Sequence, residues 1–150
     1  MTIPDATLFD ESDVIGALTL DHVGIAVYHT EDALRLYRET LGLVAEPPEI
    51  VPSDNVMVTF LHGANARIEL LEPLPGDSAV ARFLEKRGEG MHHLCFAVDD
   101  IETTLLTFAD AGYALIDTHA RPGQHGELLA FVHPKSTFGV LIELYQIAAG

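Results

Sequence analysis

The chain has 150 residues, 48% hydrophobic and 21% charged, which suits one ordinary domain or two closely packed halves and excludes a disordered chain. Its 23 acidic residues against 8 Lys and Arg leave a net charge of −15, which argues against a nucleic-acid partner. An anionic ligand therefore needs a local positive site, and a bound metal ion is one such site.

The single Cys95 forbids an internal disulfide and fits a reducing compartment. No apolar run approaches the roughly 18 residues of a membrane span. The N-terminus lacks the basic flank and apolar stretch of a secretory leader, and it lacks the arginines of a mitochondrial one. The expectation is a cytoplasmic protein with no membrane partner.

Residues 1–17, with Asp5, Asp10, Glu11 and Asp13, read as an acidic arm. Leu18–Val27 then alternates as a strand, with Val23, Ile25 and Val27 on one face and His22, Gly24 and Ala26 on the other. Thr30 is placed to cap a helix of about three turns carrying Ala33, Leu34, Tyr37 and Leu41, stopped by Gly42. Strands are predicted at Leu43–Glu46, Val56–Leu61 and Arg67–Glu72, the last two joined as a hairpin through His62-Gly63-Ala64-Asn65. Asp77 or Ser78 caps a short linking helix with Val80, Phe83 and Leu84 on its apolar face.

The second half repeats this order. Met91–Val98 is a strand, with Leu94, Phe96 and Val98 on one face and His93, Cys95 and Ala97 on the other. Asp99 and Glu102 resemble a capping box for a helix ended by Gly112. Strands follow at Tyr113–Thr118, Leu128–His133 and Val140–Tyr145. Each half is thus β-α-β-β-β, and neither alone closes a sheet around a core. The expected domain spans 18–147, built from halves at about 18–75 and 89–147.

The halves echo each other in sequence. Leu20-Asp21-His22-Val23-Gly24-Ile25-Ala26-Val27 aligns with Met91 to Val98 so that His22 matches His93, Ala26 matches Ala97 and Val27 matches Val98. Ile68-Glu69-Leu70 likewise matches Ile142-Glu143-Leu144. Two imidazoles and two carboxylates at equivalent positions suit a divalent first-row metal with open positions for substrate. Small neighbours leave a hollow beside each imidazole. Glu143 sits in the apolar run Val140–Leu144, where burial without a partner costs several kcal/mol, about 2–7 for a polar group and more for a charge.

The other histidines fit plainer roles. His92 is expected on the helix side or in a turn, away from the metal, and His29, His62, His119 and His133 at strand ends or turns. Glu72 alternates away from Glu69, and Cys95 reads as a small packing residue.

Two such modules with paired His and Glu resemble the vicinal oxygen chelate superfamily, which includes glyoxalase I, extradiol dioxygenases and antibiotic-resistance proteins. Leu70–Leu74, Phe83–His93, Arg121–Gly126 and His133–Ser136 resemble, more narrowly, the methylmalonyl-CoA epimerase family over about residues 19–146. The resemblance implies an α+β fold in which the two βαβββ modules form a cupped mixed sheet around a metal site, helices outside, and a homodimer. It implies metal ligands at His22, Glu69, His93 and Glu143, with cobalt, manganese, magnesium, zinc or nickel as the divalent ion.

The implied reaction is epimerisation of an acyl-CoA thioester, (2R)- and (2S)-methylmalonyl-CoA, through an enolate, with Glu143 as one proton carrier. Arg121 and Lys135 are candidates to meet the anionic part of CoA. One departure is that Val58 stands where some relatives carry a second catalytic glutamate. The second carrier is then Glu69 or a metal-bound water, with Glu46 and Glu49 as further candidates. Phe138 also stands where a glycine is common. A glyoxalase-type isomerase acting on a glutathione hemithioacetal and a non-enzymatic small-molecule-binding protein are the competing readings.

Overall fold

The computed structural model describes residues 18–148, so the acidic arm expected at 1–17 lies outside the described residues. Nine strands form one mixed sheet in the order β2-β4-β5-β1-β6-β9-β8-β7, with β3 paired to β4. They are β1 (Thr19–Ala26), β2 (Val44–Ala45), β3 (Glu49–Val51), β4 (Val56–His62), β5 (Arg67–Pro73), β6 (Gly90–Ala97), β7 (Arg121–Pro122), β8 (Leu128–Val132) and β9 (Leu141–Gln146). The two first strands, β1 and β6, run antiparallel at the centre. Each has the last strand of its own half parallel beside it, β5 next to β1 and β9 next to β6. This arrangement puts both histidine strands and both glutamate strands side by side.

Alternation then sorts the side chains by face. The helix α1 (Thr30–Leu34), which widens into a π-turn over Arg35–Thr40, lies on the outer face. There Leu34 packs with Val27, Leu61 and Leu70. Helix α3 (Ile101–Asp110) does the same for the second half, with Ile101 and Leu105 against Ala130, Val132 and Leu144. The linking helix α2 (Ala79–Arg87) goes to the inner face, where Val80 and Leu84 meet Ala26, Val56, Val58 and Leu71. Each fully buried aliphatic contributes about 1.5–3 kcal/mol. Outer-face packing on α1 and α3 therefore supports the sheet, and the inner face can carry polar groups. Among the described residues no helix is long and apolar enough to cross a membrane.

Several local expectations are corrected. Thr30 is the first helical residue and His29 holds the cap position; the Thr30 N–H donates to the Glu72 carboxylate at 2.6 Å, a cap supplied from β5. In α3 the cap is Asp100, accepting from the Thr103 N–H, while Glu102 reaches the Ala120 N–H instead. Tyr113–Thr118 forms no strand beyond a single bridge, Leu115 to Val132. The Asp117 carboxylate takes the Phe131 N–H at 2.8 Å, and the Ile116 and Asp117 N–H groups both donate to the Phe131 carbonyl, so a regular ladder cannot continue. The edge position falls to β7 instead. Between Pro48 and Pro52 an unanticipated strand, β3, pairs along β4 with Glu49 opposite Val58.

Candidate metal centre

His22 and His93 project from adjacent central strands into the cup and are 4% and 5% exposed. Their Nε2 atoms stand 3.1 Å apart. Glu143 Oε2 lies 3.0 Å from His93 Nε2 and 3.5 Å from His22 Nε2. Glu69 approaches the same two nitrogens at 3.6 and 3.7 Å. The four residues singled out by the repeat therefore converge.

Room for the rings comes from across the central strand pair. His93 lies opposite Gly24 and His22 opposite Cys95, both small. A Cβ on Gly24 would stand 2.7 Å from His93 Nε2 and closer still to Cε1 and Nδ1. Gly24→Ala should thus cost about 1–3 kcal/mol of stability by overpacking and displace His93. Thermal unfolding and metal content measured on the same sample check this; an unchanged metal content would mean the ring has other room.

Two aromatic walls flank the imidazoles. Phe60 stands edge-on to His22 at 5.2 Å and Phe131 edge-on to His93 at 6.2 Å. Each ring also carries a guanidinium over it, Arg67 over Phe60 at 4.2 Å and Arg121 over Phe131 at 5.5 Å. Sequence reasoning missed Phe60, Phe131 and Arg67. The signal was present, because Phe60-Leu61-His62 and Phe131-Val132-His133 stand at the same interval as His22 and His93.

The electrostatics follow from burial and close contact. Burial opposes charge on His22, but the hydrogen bonds its ring makes to the Asp21 carboxylate, Cys95 and Glu143, with Glu69 nearby, outweigh it and push His22 up to about 12. Burial also raises Glu143, yet hydrogen bonds to the two imidazoles prevail and hold its carboxyl at about 2. Glu69 is raised, chiefly by burial and further by the Glu143 charge. A sunken pair of carboxylates is costly without positive charge beside it.

The donor set also fits a metal by size. First-row ions hold N and O ligands at about 2.0–2.2 Å, so neighbouring donors around one ion stand roughly 3–3.6 Å apart. The separations between the imidazole nitrogens and from them to the carboxylates, 3.0–3.7 Å, lie close to that range. Asp21, His22 and Cys95 form another three-ligand group. That group is the poorer one: Asp21 is already bonded to Arg67 at 2.6 Å, and burial pushes the Cys95 thiol up to about 12, far from a thiolate.

The remaining candidates are placed as follows. His92 does not point away from the site, since its Nδ1 lies 2.9 Å from His93 Nδ1 and its ring packs on Phe83 of α2. His29, His62 and His119 are exposed and His133 caps the Pro134–Ser136 turn. Arg121 reaches the aromatic wall, 3.5 Å from Asp117. Lys135 lies in the same Pro134–Ser136 turn, whose Pro134 lines a groove of about 260 Å³ with Arg82, Phe83, Lys86, Arg87 and His92. Val58 is buried in the inner-face core. Glu46 pairs with His62 at 2.7 Å, and Glu49 with His125 at 2.8 Å, so of the alternative carboxylates only Glu69 touches the imidazole pair.

A duplicated β-α-β unit, cupped around two histidines and two glutamates, defines a class of protein before any relative is considered. Residues 21–131 match the family model of the Glyoxalase/Bleomycin resistance protein/Dioxygenase superfamily. The chain is 42% identical over 127 residues to the uncharacterized protein YqjC of Bacillus subtilis, covering 85% of this chain and 91% of that one. It is 40% identical over 130 residues to the ethylmalonyl-CoA/methylmalonyl-CoA epimerase of Cereibacter sphaeroides, covering 85% and 97%. A variant of the Streptomyces coelicolor methylmalonyl-CoA epimerase, solved in complex with 2-nitronate-propionyl-CoA, superposes with a TM-score of 0.80 at 34% identity, covering 89% and 97%. The chain belongs to the methylmalonyl-CoA epimerase family of that superfamily.

Proposed function

We propose that the protein interconverts the 2R and 2S epimers of methylmalonyl-CoA by removing and returning the α-proton. The observation that carries this reading is the convergence of Glu143 and Glu69 on one buried pair of imidazoles. Epimerisation needs a proton taken from one face of a carbon and one delivered to the other. A divalent ion held by His22, Glu69, His93 and Glu143 would supply positive charge to the enolate oxygen as the proton leaves. Glu143 removes or returns the proton, and Glu69, placed against the same nitrogens, is its partner. Phe60 and Phe131 wall the two imidazoles and limit water around the reacting carbon. Imidazole nitrogen in the set favours manganese, cobalt, nickel or zinc over magnesium, which prefers an all-oxygen shell.

The reading also includes a cytoplasmic location, a homodimer and a place for the anionic arm of CoA. In a chain of net charge −15, the groove beside His92 collects Arg82, Lys86 and Arg87, with Lys135 in the adjoining turn. Arg82 is already paired with Asp77 at 2.7 Å, which leaves Lys86 and Arg87 as the freer charges. Lys86→Glu with Arg87→Glu should raise KM about tenfold with kcat nearly unchanged, as expected when only uniform binding is lost. Steady-state kinetics over a range of salt check it; an equal fall in kcat would place the arm elsewhere.

The test of the reaction is to incubate the metal-loaded protein with one epimer of methylmalonyl-CoA and follow the approach to a mixture of both. Equilibration supports the proposal. No equilibration, with turnover of a glutathione hemithioacetal, would replace it with a glyoxalase-type isomerase.

A further inference from the structure

The central strand pair β1·β6 carries two register irregularities, and both fall beside a site histidine. On β1 the pairing passes from Leu20–Phe96 to His22–Cys95 and skips Asp21. On β6 it passes from Ile25–Met91 to Gly24–His93 and skips His92. Each is a β-bulge whose extra residue directly precedes the histidine of its own half. A bulge disrupts strict alternation and re-aims the extra side chain. Asp21 and His92, which a regular strand would turn away, reach the Nδ1 side of the neighbouring ring.

The contacts are equivalent in the two halves. His22 Nδ1–H donates to Asp21 Oδ2 at 2.7 Å. His93 Nδ1 stands 2.9 Å from His92 Nδ1, so a proton on His93 Nδ1 is donated to His92. In both rings this keeps a proton on Nδ1, so that Nε2, which faces the site, is the nitrogen that would give up its proton to a metal. Each partner is itself held. Asp21 accepts from Arg67 Nη2 at 2.6 Å, and His92 packs edge-on against Phe83 at 4.9 Å.

We infer that Asp21 and His92 are a matched pair of positioning residues, placed by the two bulges to fix the tautomer and direction of His22 and His93. This inference rests on the metal-site reading above. Outer partners of this kind are worth about 10–100-fold in metal affinity. Asp21 is the stronger of the two because it is a carboxylate.

The test is metal affinity measured by chelator competition with zinc or cobalt(II). Histidine ring tautomers are read in parallel from ¹⁵N–¹H correlation spectra of the zinc-loaded protein. The expected result is proton on Nδ1 in both His22 and His93, a 10–100-fold loss of affinity in Asp21→Ala and in His92→Ala, and substantial recovery in Asp21→Asn, whose amide oxygen still accepts the bond. Arg67→Met controls for a merely structural role of the Asp21 ion pair and should lower thermal stability more than metal affinity. Unchanged affinity in folded Asp21→Ala and His92→Ala, proton on Nε2 in either ring, or equal losses in Asp21→Ala and Asp21→Asn would overturn the inference while leaving the metal site standing. If the unaltered protein took up no metal, the site reading itself would fail.

Discussion

Replacing Glu143 with glutamine should lower kcat by about 10²- to 10⁴-fold at saturating metal, the usual worth of a positioned acid or base. Glutamine keeps the volume of the side chain, so Ile142 and Leu144 retain their neighbours and the protein should fold. What is lost is the negative charge that the two imidazoles hold ionised, and with it the ability to take a proton. Glu69→Gln makes the informative contrast. Its carboxyl is shifted the opposite way, toward the protonated form, chiefly by burial, so Glu69→Gln should disturb metal binding much less while still lowering kcat, because an amide cannot carry the second proton. Metal content and kcat measured together separate a lost base from a lost ligand. If Glu143→Gln retained near-normal kcat, proton transfer would have to run through another group.

The second large effect belongs to the imidazoles. His22→Ala and His93→Ala should each abolish stoichiometric metal uptake, whereas His92→Ala should still fill at saturating metal. Both rings are buried and both touch both glutamates. Deleting one leaves buried carboxylate facing empty space, at a cost of about 3–5 kcal/mol before any recovery by protonation. Elemental analysis of dialysed protein, with thermal unfolding of the metal-free form, checks both parts. Full metal uptake by either His22→Ala or His93→Ala would remove that residue from the ligand set.

Much of this was written in the sequence because duplication writes each site residue twice. His22 with His93, and Glu69 with Glu143, stand out as pairs where either member alone is unremarked. Gly24 was legible as a hollow, and the structure fills that hollow with the His93 ring. Phe138 was legible as an intruder at a glycine position. It occupies left-handed backbone at φ 59° and is fully exposed. Such a conformation is uncommon for a residue with a Cβ.

What escaped the sequence depends on partners distant along the chain. Alternation sends Asp21 and His92 to the far face, and only a register skip against the opposite strand returns them. The cap on α1 comes from Glu72, forty-two residues away, so no local pattern around Thr30 announces it. Tyr113–Thr118 has the composition of a strand but loses its ladder to the Asp117 side chain. The strand at Glu49–Val51 is too short, and too closely bracketed by prolines, to carry a periodicity.

The central claim is that the His22, Glu69, His93 and Glu143 cluster moves a proton at the α-carbon of a CoA thioester. Its most direct test is to supply one epimer of methylmalonyl-CoA to the metal-loaded protein in deuterated water and follow the α-hydrogen by mass spectrometry. The prediction is solvent deuterium at the α-carbon of the newly formed epimer, lost in Glu143→Gln. Product epimer that keeps its original hydrogen, or undiminished exchange in Glu143→Gln, would contradict it.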